Sequence, residues 1–188
     1  MSETPSTRML ALFQANDIHF DSAEDAWARA EHLYPLLGWL VAHFPDERAF
    51  RSCAEWLRLC TGRIQDARPS AERFAQALSG EHPRRAHLVA SALGDLRNAA
   101  VLDKKPAAAA FADAASHLAE AWAAVTTGEV DDASEPWSRA QEAAQAMVTA
   151  WLGYQGLDSK DGPSRRKAQE ELLDLLRQAR RSGGLAET

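Results

Sequence analysis

The chain has little cysteine, little tyrosine, no long apolar run and no strand-like alternation, and each shortage excludes something. Two cysteines in 188 residues, Cys53 and Cys60, cannot make a disulfide framework. Seven residues apart on one expected helix, they stand about 10 Å apart at 1.5 Å rise per residue, too far to bridge each other. They read as reduced, buried thiols of a cytoplasmic protein. No 18-residue apolar run and no charged-then-apolar leader is visible, so neither a transmembrane span nor a secretory signal is expected. A Gly-rich phosphate loop, a C-x-x-C pair, an H-E-x-x-H motif and a G-x-S-x-G elbow are all missing, so the motifs imply no cofactor and no catalytic residue.

What is present is helical periodicity. Trp27, Ala30, Tyr34, Leu37, Val41 and Phe44 recur at spacings of three and four, and so do Trp137, Ala140, Ala144, Met147, Trp151 and Tyr154. Such spacing lines one face of an α-helix and cannot serve a strand, whose faces repeat every two residues. The expected fold is therefore all-α, a bundle of about eight amphipathic helices without strands. Ser22 followed by Asp25 resembles an N-cap signal, and one long helix is expected from there to His43, kinked where Pro35 removes a backbone donor. Phe50, Cys53, Leu57, Cys60 and Ile64 form the inner stripe of the next helix. Shorter helices are expected from Pro69 and Pro83, then an Ala-rich one from Pro106 to about Thr126, and another from about Ser134 to Gly153. Leu157–Pro163 reads as a linker. It divides an expected bundle domain, 1–157, from an amphipathic C-terminal helix within 158–188 that packs on the bundle or on a partner.

The five residues Trp27–Glu31 match Trp137–Gln141 in type, and each opens the same stripe. Either a duplicated helical unit or the shared pattern of two amphipathic helices accounts for this.

Charge is uneven. The chain carries net −6, with net +3 in residues 82–105 and net −6 in residues 106–157. The overall sign disfavours a general nucleic-acid binder, while Arg84, Arg85, Lys104 and Lys105, with Arg165, Arg166 and Lys167, supply the residues for a local basic patch. His117 and Glu120, one turn apart, are the best metal candidates. A bundle site would also need carboxylates such as Glu31 and Glu55 beside His32, and surface placement of all of them is the simpler reading. Trp39 and Trp56 lie off the main stripes of their helices. With Leu172, Leu175 and Leu176 on the final helix they are the candidate partner-binding residues.

The expectation is a non-enzymatic helical interaction protein, an adaptor, inhibitor or assembly subunit with a protein partner or a second copy of itself. Its Ala/Arg-rich, Lys-poor composition suggests a GC-rich bacterial genome. Two alternatives stand beside it: a helical subunit of a nucleoprotein complex using the basic patch, and a bundle that binds a metal or small ligand.

Overall fold

A computed structural model describes residues 3–42, 47–78, 84–127 and 135–183. Among them the chain forms nine α-helices and one 3-10 turn, Gln65–Ala67, with no strand. The helices are α1 (Pro5–Gln14), α2 (Ala23–Arg29), α3 (Leu33–Ala42), α4 (Glu47–Cys60), α5 (Arg68–Leu78), α6 (Arg84–Leu102), α7 (Pro106–Thr127), α8 (Glu135–Tyr154) and α9 (Gly162–Ser182). Phe44, Pro45, Ser79, Gly80, Pro83 and the Gly128–Ser134 loop lie outside the described residues.

The count rises from eight to nine because the expected long second helix is two helices. Pro35 does not kink it in place. The proline ring excludes the carbonyl four residues earlier and cannot bond to it, so the break falls upstream. Ala30 is extended (ψ 145°), α2 ends at Arg29, and α3 restarts at Leu33. Pro35 then lies in the first turn of α3, where backbone N–H groups have no intrahelical partner in any case. Ser22 does cap α2, its hydroxyl accepting from the Asp25 N–H at 3.1 Å.

α3 is apolar nearly all round and buried along its length except at Tyr34. It forms the middle of the core, with α8, α1, α4 and α9 around it. The stripe Phe50, Cys53, Leu57, Cys60 and Ile64 is buried throughout. α6, α7 and α8 form an antiparallel layer: Arg97 pairs with Asp113 at 3.2 Å, and Arg139 pairs with Glu120 at 2.6 Å. Its central helix, α7, buries Ala112, Ala114, Ala115, Ala119, Ala121 and Ala123, small side chains that let both neighbours approach closely.

α9 lies antiparallel on α4 and also touches α3 and α8. Its buried face consists of Ala168, Leu172, Leu173, Leu176, Ala179 and Arg180. Asp161 caps it by accepting from the Ser164 N–H at 3.1 Å. Among the described residues no helix is long and apolar enough to cross a membrane.

Candidate functional site

A surface groove of about 630 Å³ opens where three elements meet. The end of α4 and its following turn contribute Leu59, Gly62 and Arg63, the last turn of α8 contributes Trp151 and Tyr154, and the middle of α9 contributes Glu171, Asp174 and Leu175. Helical spacing explains the two long walls. Trp151 and Tyr154 are three apart, as are Glu171 and Asp174, so each pair faces one way.

At the centre sits one ordered carboxylate. Glu171 Oε2 accepts from Arg63 Nη1 at 2.6 Å and from Trp151 Nε1 at 2.7 Å. The Arg63 guanidinium also lies 4.5 Å over the Trp151 ring. Burial alone raises the Glu171 pKa, but the Trp151 and Arg63 hydrogen bonds outweigh it and hold the carboxyl below its usual range. Glu171 is therefore ionised at neutral pH, with Oε1 free of any hydrogen bond from the described residues. Arg63, in the turn after α4, and Glu171 on α9 had no sequence signal, and Tyr154 was legible only as the last member of the α8 stripe. The groove depends on how three separate helix segments converge.

The candidates from the sequence fall elsewhere. His117 and Glu120 on α7 belong to an ionic network with α8: Glu120 pairs with Arg139 at 2.6 Å, and His117 Nδ1 lies 3.0 Å from Glu142. Glu55 pairs with Arg58 on its own helix at 2.6 Å, and Glu31 and His32 are exposed in the break between α2 and α3. Among the described residues no three His, Cys, Asp or Glu side chains are grouped to hold a metal.

The two ends of the expected basic stretch on α6 lie far apart. Arg84 and Arg85 begin α6, and their side chains lie outside the described residues. Lys104 and Lys105 follow its opposite end, about 30 Å away at 1.5 Å per residue. Lys105 pairs with Asp66 at 3.5 Å, Arg165 donates to the Ser159 carbonyl at 2.9 Å, and Arg166 and Lys167 are exposed.

Trp39, Trp56, Leu172 and Leu176 are buried in the core rather than presented to a partner. Trp56 is fully buried and donates to the Leu172 carbonyl at 3.1 Å. Trp39 donates to Ser6 Oγ at 3.0 Å and shares the Arg180 guanidinium with Trp27. Leu172 and Leu176 are fully buried there, whereas Leu175 is half-buried and lines the groove. Arg177 and Arg180, which suit a helix C-terminus by charge alone, have a further use: Arg177 donates to the carbonyls of Trp27 and Ala30 at 2.7 Å each. Cys53 and Cys60 are buried free thiols. Burial pushes Cys53 up to about 12 and Cys60 upward as well, so neither is a nucleophile near neutral pH.

Large apolar side chains are exposed at Leu88, Val101, Leu102, Tyr154 and Leu157. Four of the five lie toward one end of the α6–α7–α8 layer, Val101 and Leu102 on α6 and Tyr154 and Leu157 at the end of α8, with α7 between the two pairs. Only Asp103–Lys105 separates Leu102 from α7, and a Cβ at Gly153 of α8 would contact Ala107 of α7 at 3.9 Å. The groove opens at this same end, with Tyr154 common to both.

No protein-family model, curated protein or solved structure matches this chain.

Proposed function

We propose that the chain is a non-enzymatic helical interaction module, an adaptor, inhibitor or assembly subunit, that presents one end of its α6–α7–α8 layer to a protein partner. The observation that carries this reading is that four large apolar side chains, Val101, Leu102, Tyr154 and Leu157, are exposed toward one end of this layer. Val101 is 61% and Leu102 82% exposed, on a helix whose inward face is already filled. Apolar groups grouped at one end of an otherwise charged surface are a common mark of a binding face. The shifted carboxylates support the same reading. Asp25, Glu55, Asp161 and Glu171 are lowered by hydrogen bonds from neighbouring arginines, backbone N–H groups, a hydroxyl or an indole, which is how structure-forming carboxylates behave. With Leu172 and Leu176 engaged inside the protein, the end face is the apolar surface open to a partner.

The test is quantitative capture from the native host with tagged wild-type protein, Leu102→Glu and Tyr154→Glu, with Leu88→Glu as a distant control. A stoichiometric partner, or a dimer by light scattering, that is retained by L88E and lost by L102E and Y154E supports the reading. Recovery of the wild type alone as a monomer, or equal capture by every variant, contradicts it.

A further inference from the structure

The chain has four lysines against seventeen arginines, and the fold brings all four lysines to one end. Lys104 and Lys105 lie between α6 and α7, Lys160 between α8 and α9, and Lys167 in the second turn of α9. That is the end at which Val101, Leu102, Tyr154 and Leu157 are exposed. Residues 101–105 and 155–169 hold six cations, the four lysines with Arg165 and Arg166, and three carboxylates, Asp103, Asp158 and Asp161. These two stretches are net +3 in a chain of net −6. Adding the flanking carboxylates Asp66 and Glu170 still leaves this end positive.

Little of the excess is answered inside the protein. Asp66 takes Lys105 at 3.5 Å, and Arg165 donates to a neutral carbonyl, that of Ser159. Lys104, Lys160 and Arg166 are exposed and pair with no carboxylate among the described residues. In the adjoining groove the charges cancel without Lys167, Glu171 against Arg63 and Asp174 against Arg177. Exposed apolar side chains with unmatched cations at their margin have the anatomy of an interface centre and its polar rim. Such cations repel a basic partner and steer an acidic one from a distance. A phosphodiester backbone or an anionic bilayer suits the face less well. Asp103 beside Leu102 and Asp158 beside Leu157 would be pressed against its charges, whereas a protein segment can place donors opposite them.

We infer that this end docks an acidic amphipathic segment of the partner protein, whose apolar residues cover Val101, Leu102, Tyr154 and Leu157 while its carboxylates meet Lys104, Lys160 and Arg166. The inference rests on the interaction-module reading and adds the chemistry of the partner.

The experiment uses the full chain and two fluorescein-labelled helical peptides of leucine and alanine, one carrying glutamate and the other arginine at the same positions. Affinity is read by anisotropy at low and moderate salt. The glutamate peptide is expected to bind at least about tenfold more tightly at low salt, and the gap should narrow as salt rises. Joint Lys104→Gln and Lys160→Gln should weaken it by about three- to tenfold, the scale of two exposed ion pairs. Arg181→Gln, an exposed cation at the far end of α9, should leave it unchanged. The altered side chains are all exposed, and a thermal melt reports whether the variants fold. Amine acetylation of the wild type, read by peptide mass spectrometry, gives a second measure: the glutamate peptide should protect Lys104 and Lys160. Equal affinity for the two peptides, no measurable binding of either, or a lysine double variant no weaker than R181Q overturns the proposal. So does tighter binding of labelled single-stranded DNA or of phosphatidylserine vesicles than of the glutamate peptide. The two readings fail separately. Peptide selectivity with no partner captured from the host removes the interaction reading alone, whereas host capture lost in L102E but unchanged in the lysine double variant removes the acidic-segment assignment alone.

Discussion

The segments that begin at Trp27 and Trp137 carry the same five-residue opening and the same apolar stripe, yet one is broken and the other runs straight. The first is α2 and α3 with an extended residue between them, while the second lies within the uninterrupted helix α8. In equal register, Pro35 of the first corresponds to Gln145 of the second. Periodicity picks out the inward side chains from Trp27 to Val41 and from Trp137 to Trp151, with Tyr34 partly buried, whereas Tyr154 at the end of the second stripe is exposed. Whether the chain continues as helix is decided by one backbone donor and one ring. The break has a structural cost that the straight helix avoids: the carbonyls of Trp27 and Ala30 lose their helical partners, and Arg177 of α9 supplies new ones. Among the described residues the Trp27 indole N–H is buried without a partner, whereas that of Trp151 is bonded to Glu171. The two segments meet where the Trp137 ring covers Gly38; a Cβ on Gly38 would lie 2.3 Å from a ring carbon.

Exchanging the breaker should have the largest effect. Gln145→Pro places proline in the middle of α8 and is expected to cost about 3 kcal/mol or more, read by urea unfolding. Pro35→Ala, in the first turn of α3, should change stability by less than about 1 kcal/mol, because the backbone N–H it restores has no intrahelical partner at that position. Comparable costs for the two would show that the break is not set by proline. Next in size is Gly38→Ala. It forces the Trp137 ring away from α3 and should cost about 2–3 kcal/mol, with a change in near-UV circular dichroism. A neutral result would mean that the two segments pack more loosely than described.

A smaller loss is expected from Arg177→Ala, about 1–2 kcal/mol, since two carbonyls at the break lose their donor. Arg139→Ala, in the second segment, interrupts a partly exposed ion-pair network and should cost under about 1 kcal/mol. If the two arginines proved equivalent, α9 would not be what holds the broken segment. The smallest effect is pH dependence. The Arg29 hydrogen bond, with help from the Asp21 N–H, lowers Asp25 from 3.8 to about 2. Glu171 is also lowered on folding. Groups depressed in the folded state stabilise it fully above their ordinary pKa and lose that contribution as pH falls through the folded value. The urea midpoint should therefore fall between about pH 5 and pH 2, and Glu171→Gln should flatten part of that slope. A midpoint that rose on acidification would contradict the assignment.

The fold class was legible because each helix carries its own stripe. Phe50 to Cys60 on α4 and Phe111 to Trp122 on α7 are local patterns, and both are buried. The break at Ala30 was less legible. Proline signals interruption, but its exact place depends on which turn the tertiary contacts complete. The groove was not legible at all. Arg63, Trp151 and Glu171 come from a turn and two helices, and nothing near any one of them in sequence announces the other two. Trp56 shows the same limit from the other side. Its distance from the main stripe of α4 marks a second packed face, but only the position of α9 shows that Leu172 covers it.

The central claim is that α9 belongs to the core, closing the broken segment and walling the groove. Native-state hydrogen exchange tests it most directly. The amides of α9 around Leu172 and Leu176 should exchange only through global unfolding, with the same protection free energy as those of α3 and α4. Exchange from α9 at a distinctly lower free energy, while α3 and α4 stay protected, would show a detachable helix and contradict the account.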